Sequence, residues 1–379
     1  MKVCVVVLNS IWYDPRVRKQ IIEYKNEGID VCCVGLKCSR YDEKKVAEIP
    51  CSVNIVKINS NYDGKQNSAF GKLKREMLRN SVVRDAIIET NPDIIHANDL
   101  NALIPAYKSA KKLGCKLIYD SHEIFIESYT SARNMPYYIY LEHTEKKLVT
   151  KVDKMVCVSH AAADYFAKKY KIPTPLVVTN CSLKSEQFIG TEKNEGFEVL
   201  NHGGFYEGRG YDIMVESIPL LKDYPEIRLA IRGMGRLEKP LRDRVAELGG
   251  NFRFYPPVLV GELIPSASAS MVGVAITEAI CLNFKLSVSN KLFEYASAGL
   301  PVIMSDIPEH RYLNNKYGFG IILRDNTPKT FAEAVIRLYT DKDLYKTCAE
   351  NAIKLSQEIN WENEFRKLIE IEKSLIQEN

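Results

Sequence analysis

The residues best suited to chemistry fall in four short stretches. The first is HGGFYEGRGYDIM, residues 202–214. Gly203, Gly204, Gly208 and Gly210 lie between an apolar run ending at Asn201 and a helical pattern beginning near Tyr211. A strand–loop–helix turn of this kind lets backbone N–H groups approach an anion, and the helix N-terminus favours negative charge. Arg209 adds a planar fork suited to phosphate oxygens. The same residues equally make an ordinary Gly-rich turn with a solvated arginine; the spacing is neither G-x-G-x-x-G nor a P-loop. A second turn, Arg232 to Gly235 with Gly233 inside it, follows the next apolar run. It either cradles the same ligand or is only a turn.

The second stretch is LSVSNKLFEYASAGLPVIMSD, Leu286 to Asp306. It reads as a short helix from about Lys291 to Ala298, stopped by Gly299 and Pro301, then a β-branched strand. Free N–H groups at the helix start, where Lys291 and Leu292 stand, suit a phosphate, with Ser289 or Asn290 as cap. Glu294 is out of place among Leu292, Phe293 and Tyr295. Two readings stand level. Acids near a helix N-terminus gain about 0.3–1 kcal/mol from the dipole. A carboxylate also accepts hydrogen bonds from two ribose hydroxyls.

The third and fourth stretches, HAND and DSHE, bring His96, Asp99, His122 and Glu123 to the ends of two apolar runs. Such a set could bind a metal. His96 and Asp99 are three apart at a strand end, however, and so point to different faces; the expectation is no metal. Asp99 and His122 instead line a ligand site or order their loops as caps.

These residues need elements to hold them. KVCVVVL, DVCCVGL, VNIVKI, DIIHA, KLIYDSH, KMVCVSH and PLVVTN read as strands, with helical patterns between several of them, for example Arg16 to Asn26, Ala102 to Leu113 and Ala161 to Tyr170. This alternation means βαβ units and a parallel sheet. A polar stretch, residues 183–196, reads as a linker. The pattern then restarts with FEVLNHGG, RLAIRGMG, FRFYPP, VGVAIT, PVIMSD and GFGIIL, with helices near 211–222, 236–248, 291–298 and 329–340. The expected fold is α/β: two Rossmann-like domains, residues 1–182 and 183–358, facing a cleft. An amphipathic helix in residues 359–379, with Trp361, Phe365, Leu368 and Ile369 on one side, packs back on the first. Ligands in open parallel sheets bind beyond the carboxyl ends of the strands, where all four stretches lie.

Composition sets the outer limits. The chain has 379 residues, 46% hydrophobic and 26% charged, as expected of two globular domains. No apolar run is long enough for a transmembrane helix. The short N-terminal run MKVCVVVLNS reads as a strand rather than a signal peptide. Ten cysteines without a C-x-x-C pair point to reduced, buried thiols in the cytoplasm. Residues 1–185 hold 29 Lys+Arg and 20 Asp+Glu, or +9; the remaining 23 and 28 give −5. A basic first half suggests an anionic partner. Phe70 to Ile88 reads as a helix with Phe70, Leu73, Met77 and Ile88 near one face and Lys72, Lys74, Arg75 and Arg79 mostly elsewhere. It packs on its sheet or lies on an anionic membrane.

KLFEYASAGLPVIMSD resembles the nucleotide-sugar signature of retaining, GT-B-fold glycosyltransferases, family 4 (group 1) in particular. YDPRVRKQIIEYKNEGIDV, DIIHAND, YDSHE, VVTN, HGGFYEGRG and NWENEF are similar to further family stretches, in family order over nearly the whole chain. The resemblance implies that Glu294 accepts the ribose hydroxyls of the donor, that Arg209 stands where a phosphate-binding lysine is usual, and that His122 lies near the transferred sugar. Three departures are plain. Leu286 stands where a second glutamate is expected, Gly204 where an arginine is, and NSIWYDPR replaces a Gly-rich loop. Lys291 is the candidate replacement for the missing cation. Asn283, Ser287 and Asn290 are candidate hydrogen-bonding groups for the donor.

The expected function is transfer of a sugar, with retention, from a UDP- or GDP-linked donor to a glycan or polyprenyl-linked acceptor in surface polysaccharide or glycoconjugate synthesis. His122, Asp99 and Arg209 are the candidate catalytic residues. Gly203, Gly204, Gly233, Asn283, Ser287, Asn290, Lys291, Leu292 and Glu294 are the candidate donor contacts. No cofactor, metal or nucleic acid is expected; a cytoplasmic location with peripheral membrane contact is. Two alternatives remain: a nucleotide-sugar epimerase or hydrolase using Asp120, Glu123 and Glu127, and a non-catalytic nucleotide-sugar-binding protein.

Overall fold

Short Val-, Ile- and Leu-rich runs, flanked by polar turns, form two wholly parallel sheets in a computed structural model. The structure describes residues 1–9, 11–37, 43–56, 69–128, 136–188 and 192–377. Two units result: Met1–Thr179 with Glu364–Asn379, and Asn180–Asn363.

The sheet of the first unit contains β1 (Lys2–Val7), β2 (Asp30–Leu36), β3 (Ser52–Val56), β4 (Ile94–Asn98), β5 (Lys116–Ser121), β6 (Lys154–Cys157) and β7 (Leu176–Val177), in the order β3-β2-β1-β4-β5-β6-β7. That of the second contains β8 (Phe197–His202), β9 (Ile227–Arg232), β10 (Phe252–Tyr255), β11 (Val272–Ala275), β12 (Val302–Ser305) and β13 (Gly320–Leu323), in the order β10-β9-β8-β11-β12-β13. Central strands β4, β8 and β11 are buried along their length, as strands covered on both faces must be. Strand order reverses at β1/β4 and at β8/β11. Such switch points leave a crevice at the carboxyl ends of the strands.

All thirteen strands coincide with the runs expected from sequence. The helices Pro136–Leu148, Pro308–Tyr317 and Lys342–Glu358 were not anticipated. The helix Trp361–Gln377 buries Trp361, Phe365, Leu368 and Ile369, as its pattern predicts. From Glu364 onward it is part of the first unit.

Two expectations are corrected. The polar stretch 183–196 is no loose connection where it is described. Lys193 Nζ donates to the carbonyls of Ser268 (2.7 Å) and Ser270 (2.9 Å), and Phe188 N–H to that of Ser297 (3.0 Å). The helix Ala69–Thr90 exists, but Met77 is exposed, and Glu76, Asn80, Val83 and Ile87 are buried. Arg79 bonds both Glu76 and Asn80, which lets two polar residues occupy the inner face. The side chains of Phe70, Lys72, Leu73 and Lys74 lie outside the described residues.

Candidate functional site

In the second unit, the candidate donor residues gather at the ends of β8 and β9 and at the start of the helix Asn290–Ser297. Loops 203–205 and 232–235 run side by side. Gly203 N–H donates to Arg232 O (2.9 Å) and Phe205 N–H to Met234 O (2.9 Å). Gly233 has φ +144°, and a Cβ there would stand 2.0 Å from Gly203 O. Only glycine permits this approach, so the RGMG turn and the HGGF loop are one structure. Gly204 differs: it is exposed, and a Cβ there would meet the ring of the exposed Tyr206 side chain.

Lys291 and Glu294 project from the helix toward this loop pair. Lys291 Nζ donates to Asn201 Oδ1 (2.7 Å) and lies 5.1 Å from the Tyr211 ring centroid. A Cβ on Gly203 would be 3.4 Å from Lys291 Cε, so the lysine abuts the loop in which the expected arginine is missing. Burial, reinforced by Arg209 and opposed by Glu294, pushes the Lys291 amine down to about 7. The Arg209 guanidinium carbon lies 4.6 Å from the Phe284 ring centroid.

Glu294 Oε2 is 2.7 Å from His202 Nε2. His202 was not singled out from sequence, where it is simply the last residue of a strand. It is 1% exposed and stacks on Tyr295 with ring centroids 4.4 Å apart. Glu294 is the fifth residue of its helix, and the first turn carries no acid. A dipole effect confined to the first turn therefore explains it poorly.

Other candidates divide. Ser289 occupies the cap position but makes no side-chain bond to the helix amides, and Asn290 is exposed at the first helical position, so the expected cap is not formed. The Leu292 side chain is fully buried, and its N–H donates to Ser289 O (3.1 Å). Asn283 is buried, its carbonyl accepting the Ser287 N–H (2.9 Å) at the end of the helix Leu282–Leu286. Leu286, where a second carboxylate is expected, is half-buried at that helix's last position.

In the first unit, His122 and Asp99 meet at the ends of β4 and β5. His122 N–H donates to Asp99 Oδ1 (3.0 Å), and Nε2 lies 2.9 Å from Asn98 Oδ1. Asp120 Oδ2 lies 3.7 Å from Nε2, and Asp99 Oδ2 3.7 Å from Nδ1. Burial opposes a charged imidazole, but Asp99 and Asp120 prevail and raise it to about 9. Asp99 has φ +66°, a left-handed conformation uncommon outside glycine.

Behind His122 lies a buried polar network. Burial pushes the Asp120 carboxyl up, but Arg16, His122 and His96 overcome this and hold it well below its usual range. Arg16 donates to both Asp120 oxygens and to Val178 O (2.9 Å). His96 Nε2 is 3.3 Å from Asp120 Oδ2, and its Nδ1 is 3.1 Å from Tyr24 Oη. Tyr24 donates to Glu372 Oε1 (2.5 Å), which the final helix supplies. Asp14 caps the helix Pro15–Asn26 through the N–H groups of Arg16 and Val17. Asp14 and Arg16 are therefore committed to structure. Glu127 is likewise engaged, by Tyr165 Oη (2.6 Å) and Lys169 Nζ (3.4 Å).

Comparison with known proteins agrees with this arrangement. The family model of Glycosyltransferase Family 4 matches residues 17–183, and that of Glycosyl transferases group 1 matches residues 196–341. The chain is 24% identical over 273 residues to an uncharacterized glycosyltransferase of Methanocaldococcus jannaschii, covering 67% of this chain and 68% of that one. Among solved structures it resembles a sucrose-phosphate synthase from Thermosynechococcus elongatus (TM-score 0.78, 14% identity, 100% of both chains). It also resembles Anabaena HepE in complex with UDP and glucose (TM-score 0.75, 14% identity, 99% of this chain and 100% of that one). Two family models in sequence order, and two parallel sheets with the candidate residues at their carboxyl ends, lead to one conclusion: the chain belongs to the family 4, group 1 glycosyltransferases and has the GT-B fold.

Proposed function

We propose that the protein transfers a hexose, with retention and without a metal, from a nucleotide-diphosphate sugar to a glycan or lipid-linked glycan. The observation that carries this is the cluster of Glu294, His202, Lys291 and Asn201 beside the paired glycine loops. Glu294 accepts the ribose hydroxyls. Lys291 and Arg209 face the diphosphate, whose charge grows as the glycosidic bond breaks, and preorganised cations lower that barrier. They supply the positive charge that a metal would otherwise provide. HepE was solved with UDP and with UDP-glucose, which favours a UDP-linked donor. His122, whose N–H donates to Asp99, is the proposed catalytic residue of the first unit, with Asp99 orienting it.

The basic first half, +9 over residues 1–185, fits an acceptor carrying a lipid pyrophosphate at a membrane surface. Among the described residues no helix is long and apolar enough to cross a membrane. Epimerase chemistry on this fold would draw on Asp120, Glu123 and Glu127, of which Asp120 is engaged by Arg16 and Glu127 by Tyr165.

The test is donor binding and turnover in the Glu294→Ala variant. Hydrogen bonds to a charged group contribute about 1.5–3 kcal/mol each. Loss of the ribose contacts should therefore weaken UDP-sugar binding on the order of 100-fold and abolish useful transfer. Unchanged turnover sinks the assignment.

A further inference from the structure

Glu294 is held by a residue of the neighbouring strand. The last residue of β8 grips one turn of its helix at three points. His202 Nε2 meets Glu294 Oε2 at 2.7 Å, the His202 ring stacks on Tyr295, and the His202 N–H donates to Tyr295 Oη at 2.9 Å. Tyr295 is itself fixed. It is fully buried, and its ring lies so close to Gly273 of β11 that a Cβ there would fall 2.2 Å from Tyr295 Cγ.

The proton on His202 can be placed. A carboxylate only accepts hydrogen bonds, so Nε2–H must be the donor. Nδ1 is buried with no partner among the described residues. An unprotonated Nδ1 leaves a lone pair unmatched there, which is less costly than burying an unmatched N–H. With Nε2–H as the donor, His202 steers the Glu294 carboxylate.

We infer that His202 is the positioning residue that sets Glu294 for the ribose diol, so that preference for a ribonucleotide over a 2′-deoxyribonucleotide depends on it. This rests on the donor reading above. Oriented carboxylates discriminate because a missing hydroxyl leaves a desolvated acceptor unpaired. A carboxylate less firmly oriented loses part of that penalty, and the preference falls with it.

Two substitutions separate the contacts. His202→Phe keeps an aromatic ring for Tyr295 but removes the N–H donor. His202→Gln keeps an amide N–H donor but loses the ring. Affinities for UDP and 2′-deoxy-UDP are measured by calorimetry, with GDP and 2′-deoxy-GDP in parallel, on variants whose melting temperatures are recorded. The wild type should prefer the ribonucleotide by at least about 10-fold, equivalent to one hydrogen bond to a charged group. In His202→Phe the ratio should fall toward one, while in His202→Gln most of it should persist. His202→Leu serves in place of His202→Phe should the latter not fold. A ratio unchanged in the phenylalanine or leucine variant overturns the role of His202 and leaves the donor reading intact. A wild-type chain that binds neither nucleotide diphosphate, or does not distinguish ribose from deoxyribose, overturns the donor reading and this inference together.

Discussion

Arg16 and Asp120 form a two-point ion pair in the interior of the first unit: Arg16 Nε and Nη2 both donate to the carboxylate at 2.9–3.0 Å, and the two side chains are 2% and 0% exposed. A pair this deep contributes little net stability while whole, but breaking it strands a charge. Asp120→Asn should therefore destabilise the protein by about 3–5 kcal/mol in urea or thermal unfolding. The first-unit transition should account for the loss. A variant of wild-type stability would show that Asp120 is not the anchor of the network behind His122.

Lys291 gives a pH dependence with a definite sign. Its amine is pushed from the ordinary 10.5 down to about 7, by burial first and Arg209 second. Between pH 7 and 10.5 the unfolded chain holds a proton at this site that the folded chain lacks. The Lys291 contribution to stability therefore rises with pH across that window. Donor binding runs the other way. A diphosphate favours the charged amine, so binding should take up a proton near pH 8, and affinity should fall as pH rises above about 7. Calorimetry in buffers of different ionisation enthalpy reads the uptake directly. Lys291→Met should abolish it, weaken donor binding, and flatten the stability slope relative to wild type.

His122 supplies the third expectation. Asp99 and Asp120, against burial, hold its imidazole up at about 9. The attraction between the imidazolium and these carboxylates is fully present below the ordinary value of 6.5 and is lost as pH rises through 9. At saturating donor, turnover should fall above pH 9, and His122→Gln should remove that limb while lowering the rate at neutral pH. A wild-type profile flat to pH 10 would mean that the charge on His122 takes no part.

Most of the fold was legible in the sequence, because buried parallel strands are written as unbroken Val, Ile and Leu runs. Glu294 stood out for a related reason: an acid amid apolar helix residues is costly unless used. His202 did not stand out. Histidine at a strand end is unremarkable by type, and its partner lies 92 residues away. Arg16 was legible only as the start of a helical pattern; its pairing with Asp120 is set by long-range packing, whereas the Asp14 cap is local. The Ala69–Thr90 helix misled because its inner face carries Glu76 and Asn80, which no hydrophobic pattern reports. Leu292 looked like a ligand contact through its position at a helix start, whereas its N–H is already engaged.

Glu372 completes a cluster whose other members, Tyr24 and His96, belong to the opening third of the chain. A ribosome makes Glu372 only after the whole of the second unit. Until then Tyr24 lacks its carboxylate and the Phe365 ring that packs on it, and His96 has only the Asp120 carboxylate. Domains commonly mature in the order of synthesis. Here the first unit must wait for the last helix, so the second is the one able to finish first. Nascent chains stalled before residue 364 would carry an incomplete first core, the natural point for a chaperone to engage.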